Sequence, residues 1–530
     1  MAERIYLYDT TLRDGAQTQG VDFSVGDKRT IAEHLDAFGI DHVEAGWPGA
    51  NLTDDAFFAD PPKFARATLT AFGMTRRAGR SAANDPGLAA VLASGAPSAC
   101  LVGKTWDYHV TAALGVERDE NLAMIADSVG HTATRLREVL FDAEHFFDGY
   151  KADAGYALAC LEAAARAGAR WIVLCDTNGG TLPHEVEAIV GQIIRRIPGD
   201  RLGIHCHDDT GNAVANSLAA VRVGARQVQG SLNGLGERCG NANLVTLIPN
   251  LMLKLGYTTG VAPDRLRQLT SLSRLVDELL TRKPYRHAPY VGAAAFAHKG
   301  GLHASAVAKD PRTYEHIDPT LVGNNRAVVV SDQAGRANVL ARLADLGIAI
   351  KPAASAVGKL VDVLKDREFA GYTYDGAEAS FELLARRALG GVPDYFVVEG
   401  FRVTVERRRN AVGALVSLSE ATVKVVVDGE RIMNVAEGNG PVDALNAALR
   451  KDLGMFSAYL QDWRLVDYKV RILTPQAGTA AVTRVMIESA DGAGARWATV
   501  GVSGNIIDAS FQALHDSLVF KLLRDNAPAP

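Results

Sequence analysis

The sequence predicts an α/β protein: a (β/α)8 barrel of the TIM type, then a mostly helical linker region, then a C-terminal α+β domain with an internal two-fold repeat. Three observations predict it. Eight short apolar runs alternate with segments of helical pattern through roughly the first 250 residues, which calls for parallel strands joined by crossover helices. Four of those segments end at a Gly and run straight into an apolar stretch, as expected of a helix that closes on a left-handed residue. The last part of the chain repeats a strand–turn–helix text at an offset of 65 residues. A doubly wound sheet is the structural alternative to the barrel.

In chain order, the first strand is Ile5–Asp9. Ser24 with Asp27 reads as a capping box that opens the first helix. Strands follow within Phe38–Gly46, Ala67–Phe72, Ser94–Gly103, Glu138–Asp142, Ala167–Thr177, Leu202–His207 and Val223–Gly234. The expected division is a barrel over 1–262, helical linker subdomains over 263–392 and a terminal domain over 393–530. In the linker, Ala334–Leu346 and Ala377–Leu389 are Leu-rich amphipathic helices, and Ala293–Asp318, rich in Gly, His and Lys, reads as a functional loop region. In the terminal domain, Gly429–Leu449 matches Gly494–Leu514, with β-rich runs before each copy at Ala414–Val427 and Leu465–Glu488. The turns Gly438–Gly440 and Ser503–Asn505 would open two helices, as plain caps or as seats for a small anion.

Composition narrows the class. Apolar residues make up 48% and charged residues 22% of 530, ordinary values for a globular chain. Fifty-six basic against sixty-one acidic residues leave a net charge of −5, which argues against a nucleic-acid footprint or a polybasic membrane patch. No apolar run reaches the ~18–20 residues of a membrane span. Cys100, Cys160, Cys175, Cys206 and Cys239 form no CxxC pair, and the start MAERIYLYDTTLRDG has no apolar core of a signal peptide. The expectation is a cytoplasmic protein with reduced thiols.

The strongest local chemistry is His205-Cys206-His207 at the end of the seventh strand. Residues i and i+2 of a strand share a face, so both imidazoles point one way and Cys206 the other. That strand end is where barrel active sites lie. Asp14 follows the first strand, and one carboxylate with two imidazoles leaves a divalent metal open positions for a substrate. Arg13, beside such a metal, is placed to stabilise developing oxygen charge. Thr177 ends the sixth strand in DTNGG, where its hydroxyl can donate to a substrate carboxylate or simply serve the turn. Glu144, just past the fifth strand, is a candidate general base or a solvated surface charge. NGLGERCGNANL, Asn233–Leu244, is a Gly-rich loop after the eighth strand.

Together these pieces resemble a known family. DTTLRDGAQ, FDAEHF, DTNGG, HCHDDTGNAVANSLAA, NGLGERCGN and AFAHKGGLHASAVAKDPRTYEHI occur in that order and look like the 2-isopropylmalate synthase and citramalate synthase group of metal-dependent Claisen-condensing barrels, related to homocitrate synthase. The resemblance covers nearly the whole chain. KTWDYHV (Lys104–Val110), HFFDGYKAD and AEASFELL look more like the citramalate branch than the isopropylmalate branch.

What the resemblance implies is an acyltransferase that condenses acetyl-CoA with a 2-oxo acid, pyruvate favoured, on one divalent metal (Mg, Mn, Co or Zn). The 2-isopropylmalate reaction, with a larger 2-oxo acid and a place in leucine biosynthesis, is the alternative. A lyase running the reverse cleavage and a catalytically dead amino-acid sensor are the remaining ones. By resemblance Asp14, His205 and His207 are metal ligands, with Asn241 supporting the metal. Arg13 and Thr177 hold the 2-oxo acid, and Glu144 is the catalytic carboxylate. His303 and Tyr314 reach a neighbouring subunit's active site, which implies a homodimer. The terminal domain resembles the feedback domain of this group, here expected to bind isoleucine, the end product of the pyruvate route.

Overall fold

A computed structural model describes residues 3–298, 301–328, 336–348, 355–409 and 411–530. The chain forms two compact units, Met1–Phe296 with Ile317–Arg326, and Ala297–His316 with Ala327–Pro530.

In the first unit, eight parallel strands close a barrel. They are β1 (Tyr6–Asp9), β2 (His42–Gly46), β3 (Thr68–Met74), β4 (Ser98–Lys104), β5 (Glu138–Glu144), β6 (Trp171–Asp176), β7 (Leu202–Cys206) and β8 (Gln227–Gly230). β1 pairs with β8 over Tyr6↔Gln227 to Asp9↔Gly230, and that pairing shuts the sheet on itself. All eight expected strands are present in the expected order.

Alternation along the strands sorts the core into two. Tyr8, Phe72, Cys100, Leu140, Trp171, Val173 and Cys175, all from strands, form one buried cluster inside the barrel. Their neighbours Leu7, Leu101, Ile172, Leu174, Ile204 and Cys206 face outward into the cluster that the helices cover. The period-two argument about Cys206 therefore holds.

The punctuation is as read. Asp27 N–H donates to Ser24 Oγ at 3.1 Å and Ser24 N–H returns to Asp27 Oδ2 at 2.9 Å, a complete capping box. Gly39, Gly95, Gly168 and Gly224, the four glycines before apolar runs, have φ of 114°, 75°, 106° and 125°, the region Gly enters without a Cβ penalty.

The second unit contains the repeat. Strands Val397–Arg409, Leu415–Val427 and Glu430–Gly438 make one antiparallel sheet followed by helix Pro441–Lys451. Arg464–Ile472, Thr483–Ala490 and Arg496–Ser503 make a second, followed by helix Ile506–Arg524. Both copies share one core, with Val423, Leu445 and Leu449 from the first and Val485, Ile487 and Leu514 from the second. The two helix entries are capped from within: Asn439 N–H donates to Asp443 Oδ2 and Ile507 N–H to Asn505 Oδ1, both at 2.9 Å.

One expectation needs correction. Ala293–Asp318 is not a plain loop, since Gly301–Lys309 is helical; its Gly and His content hid the helix. Lys299 and Gly300 lie outside the described residues. The first sheet also has a strand, Val397–Arg409, that the sequence reading passed over; it is mostly exposed and its charged end hides its alternation.

The repeat is fastened unevenly to the linker helix Glu378–Ala388. Arg387 Nη1 donates to Asp516 Oδ1 at 2.9 Å, Ser380 Oγ to Asp516 Oδ2 at 3.4 Å, and Val500 N–H to Ser380 Oγ at 3.0 Å. Tyr372 OH donates to Gln512 Oε1 at 2.5 Å. Asp516 and Gln512 belong to the second copy's helix; the equivalent positions of the first are Lys451 and Ala447, and Lys451 Nζ donates to Val435 O of its own copy.

Candidate active site at the barrel mouth

β1 and β7 do not adjoin, but the closed barrel converges their C-terminal ends on one opening. Asp14 stands in the turn after β1, where its N–H donates to Thr10 Oγ1 at 3.3 Å. His205 lies within β7 and His207 one residue past its end. All three are buried.

The three ligand atoms face one another. His205 Nε2 lies 3.4 Å from His207 Nε2 and 3.5 Å from Asp14 Oδ2, and His207 Nε2 lies 4.0 Å from that same oxygen. Metal–ligand bonds of about 2.0–2.2 Å give ligand–ligand edges of about 3–3.5 Å, so the triangle needs only small closure to seat one ion. The surrounding bonds agree. His205 Nδ1 lies 2.9 Å from Gln229 Oε1, and Gln229 Nε2 donates to Asp142 Oδ1 at 3.1 Å. That chain places the imidazole proton on Nδ1 and leaves the Nε2 lone pair facing Asp14, the usual arrangement of a metal-binding histidine. Two imidazole nitrogens and a carboxylate oxygen suit a first-row divalent ion or Mg²⁺.

The electrostatics point the same way. Burial opposes charge on Asp14, but Arg13, His205 and His207 outweigh it and hold its carboxyl well below the usual range. His207 is pushed down to about 3 by burial and by the neighbouring His205, whereas Asp14 raises His205 against its burial. Two imidazoles and a carboxylate held this close together suit one divalent ion.

Asn241 is placed beside His207 by an antiparallel backbone bridge. Its side chain is buried, and neither its Oδ1 nor its Nδ2 has a hydrogen-bond partner among the described residues. A buried amide with both ends unmet is costly unless something outside the chain meets it.

Arg13 spans the other wall. Its Nε pairs with buried Glu44, its Nη1 lies 3.6 Å from Asp14 Oδ2, and its guanidinium sits 4.0 Å from the centre of the Phe72 ring. Tyr8 OH holds Glu44 Oε2 at 2.8 Å. Thr177 Oγ1 accepts from His145 N–H at 2.8 Å, so its own hydroxyl proton is free to point elsewhere. Arg238 bridges the loops after β6, β7 and β8: it holds Asp209 with two bonds of 2.8 Å and donates to Thr177 O at 2.7 Å. Glu144, the last residue of β5, pairs with Lys104, the last of β4.

Arg13, Asp14, Lys104, Glu144, Thr177, His205 and His207 all line one cavity of about 290 Å³. A second cavity of about 390 Å³ shares Arg13, Gln17 and Trp47 with it. Six of the residues singled out from sequence thus meet at one opening, with Asn241 next to it. His303 and Tyr314 lie in the second unit, where their rings stack at 4.0 Å and Tyr314 is 45% exposed.

Sequence reasoning missed Glu44, Lys104, Gln229 and Arg238. For Glu44 and Lys104 a signal was there, a charged residue at the C-terminal end of an apolar barrel strand. Gln229 and Arg238 gave none, because their partners sit on other strands and loops.

Three family models match in succession. One described as HMGL-like covers residues 4–276, one described as homocitrate synthase post-HMGL domain-like covers 290–367, and one described as LeuA allosteric (dimerisation) domain covers 375–522. The (R)-citramalate synthase of Aquifex aeolicus (strain VF5) is 51% identical over 99% of each chain. The (R)-citramalate synthase of Synechocystis sp. is 50% identical over 98% of this chain and 96% of its own. A probable 2-isopropylmalate synthase of Methanopyrus kandleri is 33% identical over 97% of both.

Proposed function

Since this chain belongs to the (R)-citramalate synthase family, enzymes that use a divalent metal and acetyl-CoA, we propose that its barrel condenses acetyl-CoA with pyruvate and hydrolyses the thioester, giving citramalate and free CoA. The observation that carries this reading is the buried Asp14–His205–His207 triangle in a cavity sized for a small acid.

We assign roles as follows. Asp14, His205 and His207 hold the ion, and Asn241 supports it directly or through water. Once bound, that ion supplies Lewis acidity to the ketone of the 2-oxo acid. Arg13, locked by Glu44 and Phe72, offers its remaining donors to the alkoxide oxygen as charge develops there. Thr177 donates its hydroxyl to the acid's carboxylate. Glu144 takes a proton from the acetyl methyl group, the carbon so freed attacks the ketone carbon, and the C=O π bond opens to an alkoxide that takes up a proton to give citramalyl-CoA. Water then cleaves the C–S bond, and CoA leaves as the thiol. His303 and Tyr314 assist proton transfer in a partner's site. The second cavity, open beside the first, gives the longer co-substrate a separate approach.

We assign catalysis to 1–262, linkage to 263–392 and regulation with dimer formation to 393–530, with isoleucine as effector. The dimerisation model over 375–522 supports that assignment. Five unpaired thiols fit a reducing cytoplasm. No described helix is long and apolar enough to cross a membrane.

The test measures thiol release from acetyl-CoA with pyruvate and with 2-oxoisovalerate. Pyruvate should be preferred, and activity should vanish on chelation and return with a divalent metal. Preference for 2-oxoisovalerate, or activity indifferent to chelation, refutes the reading. Isoleucine should inhibit the full-length chain; a rate unchanged at saturating isoleucine removes the effector assignment.

A further inference from the structure

Two stretches that mark the citramalate branch in sequence, Lys104–Val110 and the run from His145, meet in the structure. Lys104 and Glu144 are register partners at the ends of neighbouring strands β4 and β5, and their side chains form an ion pair in the cavity wall. The loops beyond them are clasped together. Thr105 donates to Glu144 O twice, from its N–H at 3.2 Å and its hydroxyl at 2.8 Å. The His109 and His145 rings lie 4.1 Å apart, and Trp106 stacks on His109 at 5.1 Å. His145 has φ of 55°, strained for a residue with a side chain, and Asp148 faces its Nδ1 at 3.4 Å. Gly149 leaves no room for a side chain: a Cβ there would lie 2.5 Å from Thr105 O and 2.9 Å from Trp106 Cα. The clasp fixes the two strand ends, and what it presents to the cavity is one ammonium beside one carboxylate.

We propose that Lys104 is a positioning residue for the condensation, its ammonium holding the Glu144 carboxylate in the orientation that takes the acetyl proton. The inference rests on the reading of Glu144 as proton acceptor. Lys104 and Glu144 are 15% and 22% exposed, so the pair sits at the cavity wall rather than in the packed core. Among the described residues, the hydrogen bonds from Thr105 to Glu144 O join the two loops without the Lys104 ammonium. A group that acts through Glu144 loses its purpose when Glu144 loses its charge, and that dependence separates positioning from a merely structural role.

The experiment is a double-mutant cycle in the full-length, metal-loaded enzyme with Lys104→Met, Glu144→Gln and the pair, each checked by thermal melting. Lys104→Met should lower kcat by ~10–100-fold, with KM for pyruvate within about three-fold of the parent. On the Glu144→Gln background the same change should cost less than about three-fold more. Lys104→Arg should recover part of the loss, because it restores the cation. Lys104→Gln replaces Lys104→Met if the latter fails to fold. Additive losses, or Lys104→Met turning over at the parent rate while Glu144→Gln is slow, overturn the role of Lys104 alone. Glu144→Gln at the parent rate overturns the reading of Glu144 itself.

Discussion

Gln229→Leu is the sharpest test of how this site holds a metal. Gln229 is not itself a proposed ligand of the ion. It fixes His205 by accepting from Nδ1 at 2.9 Å, and is itself anchored on Asp142 at 3.1 Å. Leu is similar in size and meets neither partner. His205 then has no reason to keep its proton on Nδ1, and every molecule with the proton on Nε2 must lose it before that nitrogen can bind. Asp142, whose carboxyl burial already pushes up to about 6, loses its amide donor as well. The bond from His205 to Gln229 is worth about 0.5–1.5 kcal/mol and the bond from Gln229 to the Asp142 carboxylate about 1.5–3 kcal/mol. Loss of a partner behind a metal-bound histidine typically costs about 10–100-fold in affinity, or ~1.4–2.7 kcal/mol. Calorimetric titration of the chelator-stripped enzyme with Mn²⁺ or Zn²⁺ should show that weakening, and excess metal should restore most of kcat. Unchanged affinity, or a loss of kcat that excess metal leaves untouched, refutes the claim that Gln229 works by orienting His205.

Other outcomes follow from other contacts. Asp36 accepts from the N–H groups of Ala65, Arg66 and Ala67 at 2.8, 2.8 and 2.6 Å, so Asp36→Ala should cost about 2–4 kcal/mol in chemical denaturation. Burial opposes the Asp36 charge but those donors outweigh it and lower its pKa, so the carboxylate stabilises the fold above about pH 4 and the difference between parent and variant shrinks as pH falls below that. Gly224→Ala should lower the melting temperature more than Gly95→Ala. Both glycines have positive φ, a penalty of ~1–2 kcal/mol, but a Cβ at Gly224 would also lie 1.9 Å from Ile194 Cδ1 while Gly95 has open space. Equal shifts would show that the turn conformation alone decides. Arg238→Leu should raise KM for pyruvate several-fold, because Thr177 loses its backbone anchor, yet change stability by less than about 1 kcal/mol, since its pair with Asp209 is 42% and 24% exposed. A melting shift of several degrees with unchanged KM would contradict that.

Much of the barrel was legible because its signals are local. An apolar run after a glycine reads as helix end and strand start without any knowledge of neighbours, and the two-residue period of a strand sufficed to aim His205 and His207 inward and Cys206 outward. The bond from His205 to Gln229 was not legible, since it depends on which strands a closed barrel sets side by side and at what register. Lys104 opposite Glu144 is the same case, a pairing created by the β4–β5 register. In the second unit, Val397–Arg409 escaped because an exposed strand carries charge on its open face, and Gly301–Lys309 because Gly and His weaken the helical pattern while Ala and Val still support it.

The repeated domain follows one strand–strand–strand–helix plan twice and is one-sided in its attachments. Gln512 and Asp516 hold Tyr372, Ser380 and Arg387; their earlier counterparts, Ala447 and Lys451, hold none of these. Strain arising in the older-numbered half must therefore cross the common apolar core before it reaches the tether, whereas strain in the later half arrives there directly. The protein thus carries two levers built to one plan, with these ropes tied to the later one.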